Sequence, residues 1–187
     1  MEFSFQIDGD THFQAKLQSK QCEDSTKNNK RCKHYCVIGS PYCYVHLMYN
    51  HSLRIKKSTV SNAGLGLFAI DALDSKSNDI IFKKGKTIVK YSGEIIDRDE
   101  LIKRYSNKTA PYTIQVSKNR FEDGSVVRGV GSLANTKPNH NNATISISNG
   151  TAKLKATKNI RSGDEIFLSY GKSYKINESG VNYKTTK

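Results

Sequence analysis

From Leu53 onward the chain is built of short runs rich in β-branched and aromatic residues, each closed by a turn, and this pattern limits what it can fold into. The runs fall at 53–55, 80–82, 87–91, 113–116, 144–147 and 166–168. One helix signal interrupts them: Asp97 can cap a turn that carries Leu101, Ile102 and Tyr105 on one side. Many short strands with one short helix predict a mostly β domain and argue against a βαβ array. Ahead of this domain, residues 1–20 read as a hairpin. Phe3, Phe5 and Ile7 alternate, Asp8-Gly9 is a turn signal, and Phe13, Ala15 and Leu17 alternate again. After Tyr174, residues 175–187 form a polar tail.

A length of 187 residues allows one ordinary domain with a small appendage. Lys plus Arg is 30 against 17 for Asp plus Glu, a formal charge of +13. Such a balance favours anionic partners, nucleic acid above all, although the basic residues are spread along the whole chain. No apolar run approaches the roughly 20 residues of a membrane-spanning helix. The N-terminus, with Glu2 and alternating apolar residues, lacks the pattern of a secretory signal. The expectation is an intracellular protein with reduced thiols and no membrane partner.

All four cysteines fall between Cys22 and Cys43, in a stretch poor in aliphatic residues. Cys22, Cys32, Cys43 and His46 can form a Cys3His zinc site, since Cys43-Tyr-Val-His46 has ligand-like spacing and little else would hold the segment folded. Cys36 and His34 are spare candidates. Four protein ligands would leave no open position, so bound zinc would be structural. The alternative is reduced, unliganded thiols.

Asn62-Ala63-Gly64-Leu65-Gly66-Leu67-Phe68-Ala69 contains G-x-G-x-x-A. A dinucleotide fingerprint of this kind needs a full helix after it and further βαβ units. Here Asp71, Asp74 and the polar run 75–79 break the pattern. A second reading is a glycine turn joining two strands.

A third reading is carried by an ordered set of matches. After Gly64-Leu65-Gly66-Leu67-Phe68-Ala69 come Tyr91-Ser92-Gly93, the helix signal at Asp97, Pro111-Tyr112-Thr113-Ile114, Gly131-Ser132-Leu133-Ala134-Asn135, Asn141-Asn142-Ala143, and Gly163-Asp164-Glu165-Ile166-Phe167-Leu168-Ser169-Tyr170-Gly171. In this order the set resembles the SET domain of protein-lysine methyltransferases, and the compact form is similar to SET domains encoded by large DNA viruses. The resemblance implies a β-clip fold with short helices. It divides the chain into the hairpin at 1–20, a small Cys/His module at 21–50, a SET domain at 52–174 and the tail at 175–187.

The resemblance also implies a reaction, methyl transfer from S-adenosylmethionine to a lysine amine of a protein, with a histone tail as the leading substrate and the nucleus as the place of work. Tyr170 would border the transfer site and Tyr112 would form another wall of the lysine channel. The cofactor would lie against Gly64, Leu65 and Gly66 and be bound by Asn135 and Thr136. Tyr91 would stand near it and Tyr174 would cover it. Leu168 stands near the place where the family often carries Phe or Tyr, and so would leave room for more than one methyl group. Three departures stand out. Thr136 replaces the usual His, the loop 137–141 differs from the usual pattern, and no cysteine follows Tyr170. The rival reading is a non-catalytic SET-fold module that holds nucleic acid or a protein partner.

Overall fold

The fold is described from a computed structural model, which covers residues 2–6, 14–18, 20–36, 40–74, 77–106, 110, 112–125 and 129–170. The hairpin turn at Asp8-Gly9, with Ile7 and Phe13, lies outside the described residues, as do Pro111, Gly171, Tyr174 and the tail 175–187. The expected mostly β architecture is present. Strands β1 (Glu2–Gln6) and β2 (Gln14–Gln18) pair antiparallel, with Phe3 opposite Leu17 and Phe5 opposite Ala15.

The cysteine segment folds as a narrow antiparallel turn. Bridges join Gln21 to Tyr35 and Ser25 to Arg31, and Asn29 adopts a left-handed φ of 56° at the bend. Helix α1 (Tyr44–His51) follows, with Cys43 as its N-cap and Ser52 closing it at a φ of 53°. The sequence pattern gave no sign of this helix, because Leu47 is its one buried residue.

Strands β3 (Leu53–Lys57) and β4 (Leu65–Ala69) form a hairpin with Leu53 opposite Ala69 and Ile55 opposite Leu67. Gly64 turns the chain back at a φ of +70°, a left-handed conformation that glycine adopts without a steric cost. Strand β5 (Ile80–Phe82) pairs with β12 (Ile160–Arg161). Strand β6 (Thr87–Lys90) joins β11 (Thr151–Ala156) and β10 (Ala143–Ser148) in a three-stranded antiparallel sheet. A second such sheet runs β7 (Glu94–Ile96), β9 (Arg120–Asp123), β8 (Thr113–Ser117).

Helix α2 (Arg98–Tyr105) starts where Asp97 predicts. The Asp97 side chain accepts a hydrogen bond from the Glu100 N–H at 2.9 Å, a cap worth about 1 kcal/mol. The expected apolar side is narrower than the sequence suggests. Tyr105 is buried, but Ile102 is half exposed, because the step from Leu101 to Ile102 turns the side chain away from the i, i+4 pair formed by Leu101 and Tyr105.

The run expected at 166–168 is not a regular strand. It is threaded between other segments, making isolated bridges of Phe68 to Glu165, Asn135 to Phe167 and Ala143 to Leu168. The Asn142 side chain holds this thread on both sides. It donates to the Glu165 carbonyl at 2.9 Å and accepts from the Phe167 N–H at 2.9 Å, as a strand backbone would. The core gathers around the thread, from Leu47 and Leu53 through Leu67, Val130 and Leu154 to Ile166 and Leu168. Among the described residues no helix is long and apolar enough to cross a membrane.

Candidate active site and metal centre

The threaded segment ends at a cavity of about 100 Å³, walled by Tyr91, Tyr112, Ile114, Ala134, Leu168 and Tyr170. At that size it suits one side chain; small-molecule pockets usually run to about 300–1,000 Å³. The Tyr170 hydroxyl donates to the Ala134 carbonyl at 3.0 Å, and the Tyr91 hydroxyl donates to the Tyr112 carbonyl at 2.9 Å. The Gly124 N–H donates to the same Tyr112 carbonyl at 2.8 Å. Both predicted channel tyrosines therefore share one cavity. Tyr91, expected beside the cofactor, is the third tyrosine of its wall.

On β9, Asp123 is fully buried and carries a hydrogen-bond network. It accepts from Arg104 Nη1 at 3.0 Å, from the Tyr105 hydroxyl at 2.9 and 3.0 Å, and from the Ser125 N–H at 3.0 Å. Burial, with Asp123 beside it, pushes the Tyr105 phenol well above its ordinary pKa. This pairing was not read from sequence, where Asp123-Gly124-Ser125 looks like a turn.

Ala134 leads directly to Asn135, which joins the cavity to the glycine loop. Asn135 Nδ2 donates to the Leu65 carbonyl at 3.0 Å and to Glu165 Oε1 at 3.3 Å. Glu165 is buried and collects further donors: Ser58 Oγ at 2.6 Å, Thr59 Oγ1 at 2.5 Å and the Thr59 N–H at 2.7 Å. Burial alone would raise its pKa, but these hydrogen bonds hold the carboxyl below its ordinary value. A Cβ at Gly66 would overlap the Glu165 carboxylate, which explains the second glycine of the motif. At Gly64 and Leu65 the surroundings are open: a Cβ at Gly64 would meet nothing within 4 Å, and Leu65 is half exposed. Thr136 turns toward its own loop, with Oγ1 3.5 Å from Asn141 Oδ1. Glu165, Ser58 and Thr59 were not singled out in sequence. Glu165 stands inside the last motif, but the partners 106 and 107 residues away have no local signal.

The predicted Cys3His set is brought together. One ligand atom from each of Cys22, Cys32, Cys43 and His46 lies within 4.8 Å of the others, and the group could hold a metal ion. Cys22 Sγ and Cys43 Sγ are 3.4 and 3.5 Å from His46 Nδ1, and Cys32 Sγ is 3.9 Å from Cys43 Sγ. A tetrahedral zinc ion with Zn–S near 2.3 Å and Zn–N near 2.0–2.1 Å sets edges of about 3.5–3.6 and about 3.8 Å. The helix start explains the short Cys43–His46 edge: these residues are the N-cap and the third residue of α1, which face each other across the first turn. Two amides support the sulfurs, Cys43 N–H to Cys22 Sγ at 3.2 Å and His34 N–H to Cys32 Sγ at 3.4 Å. Of the spare candidates, Cys36 stands outside the four. Burial pushes its thiol up to about 11.

Small sheets around a threaded C-terminal segment, with a tyrosine-walled cavity where the thread ends, define a β-clip domain. Residues 79–171, just under half of the chain, match the SET domain family. The match begins downstream of the β3–β4 hairpin, which carries the glycine motif. The chain resembles the polycomb repressive complex 2 of Chaetomium thermophilum. One such structure, of the autoinhibited complex bound to S-adenosylmethionine, aligns with a TM-score of 0.52 at 22% identity over 65% of this chain and 15% of that one. The Chaetomium thermophilum complex in another crystal structure gives 0.50 at 22% over 72% and 16%. A complex with H3K27me3 and H3K27M gives 0.52 at 19% over 77% and 16%. The chain thus spans about one sixth of the length of these solved chains, and at such identities the likeness establishes the fold. No curated protein sequence matches it.

Proposed function

We propose that the chain is an S-adenosylmethionine-dependent protein-lysine N-methyltransferase. The observation that carries this reading is the channel walled by Tyr91, Tyr112, Leu168 and Tyr170, which adjoins the open glycine loop through Ala134 and Asn135. The residues present fit the cofactor. Gly64 has open space beside it, Leu65 is half exposed, and Asn135, with Thr136 next in the chain, reaches the Leu65 carbonyl. When bound, S-adenosylmethionine supplies a methyl group on a positively charged sulfonium. Structures of the fold relatives were solved with S-adenosylmethionine and with H3K27me3, which supports the cofactor and makes a histone lysine the leading substrate.

The protein's part is to admit the lysine, strip its water and hold its amine. A free lysine has a pKa near 10.4, so presenting it neutral at pH 7 costs about 4–5 kcal/mol. Leu168, Ile114 and Ala134 give the channel an apolar part of its wall beside Thr113, Ser132 and Ser169, and desolvation there disfavours the ammonium form. Tyr170 directs its proton at the Ala134 carbonyl, so toward an incoming amine its oxygen accepts. It would take one N–H of the amine and leave the nitrogen lone pair aimed at the methyl carbon, an orientation effect worth several kcal/mol. Leu168 places an aliphatic side chain in the channel wall near where the family often carries Phe or Tyr, which favours more than one round of transfer.

On this reading the Cys/His module holds structural zinc, and the protein works inside the cell, in the nucleus when the substrate is chromatin. The alternative is a non-catalytic SET-fold module for nucleic acid or a protein partner, favoured by Thr136 in place of the family's histidine and by its tie to Asn141. Calorimetry with S-adenosylmethionine and a methyl-transfer assay on histones separate the two. The enzyme binds the cofactor, and Tyr170→Phe lowers turnover by about 10²-fold. Mass spectra of the wild-type product contain di- or trimethyl-lysine. A protein that binds no cofactor is the module.

A further inference from the structure

The outer face of the β6–β11–β10 sheet is a field of lysines with no acid among them. Lys153 lies directly opposite Lys90 on β6 and Ser146 on β10. Lys155 lies opposite Thr87 and Thr144. The alternate residues Leu154, Val89 and Ile145 turn inward to the core, so the two lysine rows share the solvent side. The turn before β6 adds Lys83, Lys84 and Lys86, all exposed and pinned beside the end of β11. There the Gly85 N–H donates to the Ala156 carbonyl at 2.8 Å and the Ala156 N–H to the Lys86 carbonyl at 2.9 Å. Lys158 follows β11 in the next turn and is also exposed.

Residues 80–92 and 137–163, which contain all three strands and their turns, hold no Asp or Glu, although the chain has 17. Among the described residues none of these lysines makes an ion pair; the acids Glu94, Glu100 and Asp123 gather instead around Arg104 of α2, with Glu94 and Asp123 coming from the other three-stranded sheet. Like charges directly opposite on a sheet face destabilise it, so the Lys90–Lys153 pair is a cost that a bound anion would remove.

We infer that this face, from Lys83 through Lys90, Lys153 and Lys155 to Lys158, is a docking surface for the phosphate backbone of double-stranded nucleic acid. The remaining residues of its two rows are Thr87, Thr144 and Ser146, whose hydroxyls suit phosphate oxygens. Neither row carries an aromatic ring on which an unpaired base could stack, which disfavours single strands. Nor does either row carry an apolar side chain to enter a lipid interface. Recognition would be independent of sequence. The surface is distinct from the tyrosine channel and does not depend on the methyl-transfer reading.

The test is fluorescence anisotropy of the full chain with two duplex DNAs of unrelated sequence, from low to moderate salt. The triple variant K90Q/K153Q/K155Q is compared with K27Q/K30Q/K103Q, which removes the same charge elsewhere. Equal affinity for both duplexes is expected. The sheet variant should lose about tenfold or more and flatten the log–log salt slope by about 2–3, at roughly 0.9 per lost phosphate contact, while the control changes little. If the triple variant melts early, Lys155→Gln alone should still lower the slope by about 0.9. Equal losses in both triple variants would overturn the assignment. So would tighter binding to single strands, or binding only to phosphatidylserine-containing vesicles.

Discussion

Around the Cys/His cluster the buried apolar groups are the four cysteines, with Tyr42 packed against them, whereas the SET region buries a continuous core from Leu47 to Leu168. The first region has little apolar area to offset the entropy of ordering the 20–36 segment, so on the zinc reading its fold depends on the metal. The second can stand on burial alone, and its polar networks at Glu165 and Asp123 shape it more than they hold it up. A ligand set and a hydrophobic core are thus placed side by side in one chain, and they should respond to different insults.

The largest expected effect follows from metal removal. Chelation, or Cys43→Ser, should unfold the cysteine segment, because apparent zinc binding energies in small modules run to about 10–16 kcal/mol and become folding energy there. Hydrogen exchange should then show lost protection at the Cys22 and Cys32 amides, which donate to the His34 and Asp24 carbonyls, while the Leu154 and Ala152 strand keeps its protection. Purified protein without a bound metal, yet with the Cys22 and Cys32 amides protected, would break the comparison.

A middle-sized effect is expected inside the core. Glu165→Gln presents an amide donor to Ser58, Thr59 and Asn135, all of which already donate, and should cost about 1–3 kcal/mol in denaturant unfolding. The native carboxyl titrates below its ordinary value, so the unfolded chain takes up the proton first as pH falls. The stabilisation is complete above the unfolded-state pKa and is lost as pH drops through the folded one. Wild type should therefore lose stability with acid more steeply than Glu165→Gln, a slope difference that urea titrations at several pH values can read.

What the sequence made legible divides along the same line. Residues that act through local spacing were readable: the Asp97 cap, the Gly64 turn, and Cys43 with His46 at ligand-like spacing. The channel tyrosines were readable only through an ordered family likeness, since nothing near Tyr112 or Tyr170 marks them as neighbours. Glu165 with Ser58 and Thr59 was missed because threading brings together residues 106 and 107 positions apart, and Asp123 with Arg104 and Tyr105 because the pairing joins β9 to α2 across 18 and 19 positions. Helix α1 was missed because one buried leucine leaves almost no periodicity to read.

The smallest effect concerns the seam between the two regions. Tyr42 packs against both clusters and stacks on His51 with ring centroids 4.0 Å apart. If the seam couples them, metal-loaded wild type should melt in one transition. Tyr42→Ala removes the stack and most of the apolar contact, at about 1–2 kcal/mol for a half-buried ring. Calorimetry should then show the module melting ahead of the core, and excess metal should move only the earlier transition. A single transition in Tyr42→Ala would mean that α1, through Leu47, already binds the module to the core, and the two regions would be one cooperative unit with two sources of stability.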